Sequence, residues 1–164
     1  MEGRRRCLGL KTVLAILGVI SGASICVTFG ASRNFNASIW GFLTGVFAAI
    51  VLNLHLCYRK NILHLKFTPE TLGLVKLCGI LCSIIALSAS IIYFVLMSVF
   101  KQGYKMEDDG YAPAGIFALL SLKWTVMMFF EGRWYERFLR STHEYGDTSN
   151  EEYLTKHDSG LLNN

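Results

Sequence analysis

The sequence predicts an all-α membrane protein with four transmembrane helices and both termini in the cytosol. Three observations carry that prediction. Apolar residues make up 52% of the 164-residue chain, which is one domain long and too apolar for a water-soluble one. The charged residues, 17% of the chain, cluster between long uncharged runs. Lys and Arg also concentrate at every second junction between those runs, which is how membrane helices are oriented.

The first run, about 8–29, follows Arg4, Arg5 and Arg6. It exceeds the apolar core of roughly 7–15 residues found in a cleaved signal peptide, so it is expected to remain as a span. The second run is about 39–58 and the fourth about 114–130, each approaching the roughly 20 residues that cross a hydrocarbon core. The third, about 72–100, is longer than an upright span needs and should tilt or extend into water. No stretch alternates in the manner of a barrel strand. Gly18 and Gly22 in the first span, and Gly41 and Gly45 in the second, are each four residues apart. Small residues at that spacing let helices approach closely, within the chain or between protomers; the short intervening loop favours packing within the chain. The expected organisation is one transmembrane domain, 1–140, and a polar, disordered cytosolic tail, 141–164.

Orientation follows the bases. Arg4, Arg5, Arg6 and Lys11 precede or open the first span; Arg59, Lys60 and Lys66 lie between the second and third; Arg133, Arg137 and Arg140 follow the fourth. The other two loops hold Arg33, Lys101 and Lys105, the last two offset by Glu107, Asp108 and Asp109. The net charge of +4 is therefore a matter of membrane topology, and nucleic acid is not expected as a partner.

Polar side chains inside the spans are the sharpest functional signal. Lys123 lies within the fourth span, in "SLKWTVMMFF", and His55 lies near the end of the second, in "VLNLHLCYRK". Burying a lysine at a helix centre costs on the order of 3 kcal/mol, so Lys123 is expected to face a polar interior, with snorkelling to the surface as the alternative. His55 either bonds a neighbouring helix or binds a ligand. On a 3.6-residue period Lys123, Phe130 and Arg137 share one face. The span cores hold no Asp or Glu, which excludes a proton-coupled antiporter built on a membrane carboxylate. One span histidine excludes a cytochrome that holds haem permanently between paired histidines. No catalytic motif is present, and the chain is not expected to be an enzyme. Cys78 and Cys82 share a helix face, and small packing residues are the expected reading there over metal ligation; no metal beyond haem iron is expected.

One imidazole, scattered bases and interfacial aromatics suit a planar, anionic, iron-bearing ligand that is captured and released. Haem iron accepts His, Tyr, Cys or Met, its propionates call for Arg or Lys, and its ring stacks on aromatics. The segments "SLKWTVMMFFEGRWYERF" and "LHLCY" also resemble the haem-responsive gene family of haem transporters, which are four-span proteins with cytosolic termini. The resemblance takes in the four-span layout of the whole chain, and its specific part is those two segments. It places the family's second-span histidine on His55 and its Lys-Trp pair on Lys123 and Trp124. The family's Phe-Ala-Arg-Lys-Tyr motif falls on Glu131, Gly132, Arg133, Trp134 and Tyr135, of which Arg133 and Tyr135 match. The family's far-side loop histidine has no counterpart here, and Tyr104, Met106 and Tyr111 are the iron-ligand types in that region. The resemblance implies His55 and Tyr135 as candidate iron ligands, and Tyr104 and Tyr111 are added as candidates by residue type in the loop that lacks the family's histidine. It implies Lys123, Trp124, Arg133 and Trp134 as pathway or propionate contacts, and Arg137 joins them through the helix face it shares with Lys123.

In the tail, Asp158, Leu161 and Leu162 match the Asp-x-x-Leu-Leu pattern read by endosomal sorting adaptors. The expectation is a haem transporter in the plasma membrane or the endosome/lysosome membrane. Haem would be its substrate and not a permanent cofactor. Membrane lipid surrounds it, and a homodimer or trimer is expected because four helices enclose little volume. The alternative is a tetraspan scaffold or sorting protein that transports nothing.

Overall fold

The computed structural model describes the backbone of residues 2–102 and 110–161, and side chains for 9–102 and 110–141. The described residues form five helices and no strand: α1 (Glu2–Ala31), α2 (Phe35–Arg59), the single-turn α3 (Leu63–Lys66), α4 (Pro69–Val99) and α5 (Tyr111–Leu161). Four of them, over Gly9–Ala31, Phe35–Arg59, Pro69–Val99 and Tyr111–Ser141, are long and apolar enough to cross a membrane. This is the architecture of a multi-pass membrane protein.

Local chemistry sets the helix ends. Asn34 caps α2 by accepting a hydrogen bond from the Ala37 amide (3.1 Å), and Thr68 caps α4 by accepting one from the Thr71 amide (3.3 Å). Pro69 then opens α4 with its φ already suited to helix, and Glu70 complements the positive end of the helix dipole. Arg33, Asn61 and Lys101 adopt positive φ (57°, 54° and 49°) just past the ends of α1, α2 and α4. The left-handed residue turns the chain out of each helix and lets following amides bond the last carbonyls.

Close packing follows the small residues. A Cβ on Gly22 would collide with the backbone of Gly45, and one on Gly41 would reach the Cys26 amide at 2.9 Å. The glycine pairs of the first two spans thus hold α1 against α2, except that Gly18 faces Trp124 of α5. The α4–α5 pair uses a device the sequence reading missed: a Cβ on Gly79 would lie 2.9 Å from the Phe129 amide and 3.1 Å from the Thr125 carbonyl. α2 and α5 pack together at the centre, with α1 on the former and α4 on the latter.

The inward seam of α5 is a regular repeat. Ala114, Ala118, Ser121, Thr125, Met128, Gly132, Tyr135 and Leu139 are all buried, with spacings that alternate between four and three. This seam carries the helix eleven residues past 130, where the fourth span was expected to end. The backbone stays helical to Leu161, through the stretch expected to be a disordered tail.

Candidate functional site

Three polar links join the helices at the end of the bundle where α1 starts and α2 finishes. His55 on α2 and Tyr135 on α5 are both fully buried, and His55 Nδ1 lies 2.8 Å from the Tyr135 hydroxyl. His55 Nε2 has no hydrogen-bond partner, which makes it an unusual atom in a packed interior. One turn before Tyr135, Glu131 accepts a 2.7 Å ion-paired hydrogen bond from Lys11 of α1. On the other side of α5, Lys76 of α4 donates to Glu136 at 2.6 Å, and Arg140 donates to the same carboxylate at 3.1 Å.

Aromatic rings cover the His55–Tyr135 pair. Tyr58 packs edge-on against Trp134 (5.2 Å between centroids) and Phe138 (5.4 Å), and Trp134 stacks on Phe138 at an interplanar angle of 12°. Trp134 also meets Tyr135 edge-on at 4.8 Å. Arg133 and Arg137, one helical turn apart, are exposed beside this cluster. The structure therefore brings His55, Tyr135, Trp134, Arg133 and Arg137 to one end of the bundle. Arg133, Trp134, Tyr135 and Arg137 stand on a continuing α5 and not on a segment after it, because Tyr135 and Leu139 extend the buried seam.

Lys123 stands elsewhere, and its expected place in a polar interior is corrected here. Ser121, Trp124, Thr125 and Met128 take the inward face of α5, which turns Lys123 outward. Phe130 and Arg137 are exposed with it, so the stripe read from the sequence exists and lies on the outer surface. Lys123 Nζ sits 5.4 Å from the centroid of the Trp124 ring, within cation–π range. Trp124 is 3% exposed and packs with Ala15, Ala48, Val51 and Met128. The interior polar contacts of α5 are instead hydroxyl pairs: Ser121 with Thr44 at 2.7 Å, and Thr125 with Ser83 at 2.9 Å.

Tyr111, at the opposite end, stacks on Tyr93 with centroids 6.4 Å apart, far from His55 along α5. Tyr104 lies outside the described residues, and the side chains of Asp158, Leu161 and Leu162 are outside those described. Cys78 is exposed and Cys82 half-buried, and the described residues hold no group of three or more His, Cys, Asp or Glu that could hold a metal ion. Sequence reasoning did not find the Lys11–Glu131 or Lys76–Glu136 pairs or the role of Tyr135 as partner to His55. The spacing of four between Glu131 and Tyr135 was the one available signal, since it puts both on neighbouring faces of one helix. Comparison with protein-family models, curated proteins and solved structures finds no match to this chain.

Proposed function

We propose that this membrane protein is a haem transporter, moving haem across the plasma or an endolysosomal membrane into a cytosol that holds both termini. The observation that supports the reading most is the state of His55, a buried span imidazole with one nitrogen held and the other unpartnered. When the proton is on Nδ1, that N–H donates to the Tyr135 oxygen and Nε2 keeps its lone pair. An imidazole oriented in this way by a second residue is prepared to bind a metal through its other nitrogen. Axial histidine is a standard haem ligand. Arg133 and Arg137, exposed at the same end, offer guanidinium groups to the two propionates as haem leaves for the cytosol. Trp134 and Tyr58 supply flat apolar surface beside them. No step of this scheme requires a catalytic group.

Haemin titrated into the purified protein should give a saturable Soret shift that His55→Ala weakens, while His64→Ala leaves it unchanged. A tetraspan scaffold predicts no specific shift. The decisive cellular test is rescue of haem-synthesis-deficient yeast at limiting external haem: wild type should support growth and His55→Ala should not. Failure of the wild-type chain, correctly inserted, would remove the transport reading. Tags at either terminus should be reachable only after permeabilisation.

A further inference from the structure

The side of His55 that α1 covers is closed by small residues and one charged pair. α1 and α2 run antiparallel and interlock at Gly22 with Gly45 and at Gly41 with Cys26. Lys11 lies eleven residues before Gly22, and His55 ten after Gly45, so the two come level across the helix pair. Val51, one turn before His55 on the same face of α2, shares a packed cluster with Ala15, one turn after Lys11. The imidazole, bonded to Tyr135 of α5, therefore adjoins the seam between α1 and α5, and the charges of both Lys11 and Glu131 reach it.

That seam is looser than its neighbours. α4 meets the backbone of α5 at Gly79, and α1 meets the backbone of α2 at Gly22, whereas α1 and α5 do not pack backbone to backbone. They are joined where the Trp124 ring covers Gly18 and, two turns or about 10 Å nearer the basic end, where Lys11 meets Glu131. The methyl group of Ala15 stands in the interval. Lys11 is half-exposed, so its ammonium passes into water as soon as it leaves the carboxylate, and such a pair holds only weakly. The other walls are firmer. Tyr135 belongs to a buried apolar cluster with Leu54, Leu63, Leu72 and Leu139, and Trp134 packs edge-on against it at the bundle end.

We propose that the Lys11–Glu131 pair is the latch of a side door to His55. When the pair parts, the basic end of α1 moves off α5 about the contact of Gly22 with Gly45, and the unpartnered Nε2 becomes accessible from the side of the bundle. An orphaned polar atom is costly to bury, and a wall that opens lets it meet a partner. Glu131 and Lys11 are positioning residues in this device: neither touches the ligand, and both set how often the imidazole is uncovered. The door concerns access to the imidazole and stands apart from the haem reading, whatever ligand His55 takes.

The test uses the full-length protein in phosphatidylcholine nanodiscs and diethyl pyrocarbonate as the probe. An unprotonated imidazole nitrogen attacks a carbonyl carbon of this reagent, the C–O bond to the departing ethyl carbonate breaks, and an ethoxycarbonyl group stays on the ring. Peptide mass spectrometry reads the rate at His55 against that at exposed His64 in the same molecule. In wild type His55 should react more slowly than His64. Glu131→Gln and Lys11→Met should each raise the His55 rate about two- to fivefold, as loss of a weak ion pair implies, with His64 unchanged. Position 11 is half-exposed, so the Lys11 variant reads the latch even where the Glu131 variant fails to fold. Lys11→Arg keeps the pair and should keep the wild-type rate. Lys76→Met breaks the ion pair to Glu136, on the other side of α5, and should leave His55 as it is in wild type. A wild-type His55 that reacts as fast as His64, or a rate that neither latch variant raises, overturns the proposal. An equal rise in Lys76→Met overturns it too, because general loosening would then account for the effect. A latch that behaves as expected in a protein giving no Soret shift with haemin would sink the haem reading alone. A haemin shift with an unchanged labelling rate in both latch variants would sink the door alone.

Discussion

Glu131 and Lys123 are charged side chains on the same helix, eight residues apart, and the fold treats them oppositely. Glu131 is nearly buried, its side chain 9% exposed, and is matched by a lysine from α1 whose own side chain is 47% exposed. Lys123 is exposed to the lipid face and matched only by an aromatic ring. The first belongs to a structural network that ties α1, α2 and α5 together beside His55 and Tyr135. The second lies on the outer surface of α5, over the Trp124 ring. The buried carboxylate is held by an ion pair to another helix, whereas the exposed ammonium has no ion-pair partner among the described residues.

Substitutions can break or sharpen this contrast. The largest effect should come from Tyr135→Ala, which opens a cavity in the seam and strands His55; a loss of about 3–5 kcal/mol is expected in thermal or denaturant unfolding in detergent. Tyr135→Phe keeps the ring and removes only the bond to His55, and should cost about 1–3 kcal/mol. Unfolding of this variant at the wild-type midpoint would show that the pair adds nothing to stability. Glu131→Gln should cost about 1 kcal/mol or less, because half-exposed Lys11 returns to water. In a double-mutant cycle with Lys11→Met, most of that loss should appear as coupling. Lys123→Leu should be the mildest, within about 0.5 kcal/mol of wild type or more stable. A loss as large as that of Tyr135→Phe would place Lys123 in the structural network and erase the distinction.

Much of the fold was legible in the chain. The ends of α1 and α2 fall within a few residues of the runs read as 8–29 and 39–58 at three of four boundaries, and α1 begins earlier only because the arginine-rich start is helical as well. α4 starts at Pro69 and not at 72, since Thr68-Pro69-Glu70 is a capping sequence that hydropathy does not register. The helix that carries the fourth span continues beyond the apolar run read as 114–130. Glu131, Arg133 and Arg137 read as the exit into water, yet they alternate with Gly132, Tyr135 and Leu139, which continue the seam. Hydropathy averages over a helix and loses a buried stripe that is one residue wide. For the candidate site, His55 was identifiable as a lone span imidazole, but its partner was not, because Tyr135 lies eighty residues away in sequence.

By itself the sequence determined how many membrane helices there are, their order, and the shared face of Lys123, Phe130 and Arg137. Those properties depend on length, hydropathy and a 3.6-residue period, and need no neighbour. Only the tertiary structure decided which face looks inward. In a water-soluble helix the apolar stripe announces the core, whereas in lipid an apolar residue is equally at home on either side. The inward face is then chosen by shape, by Gly79 against α5 and Gly22 against Gly45, and by polar pairs such as Ser121 with Thr44. That choice turned Lys123 toward the membrane and Tyr135 toward His55.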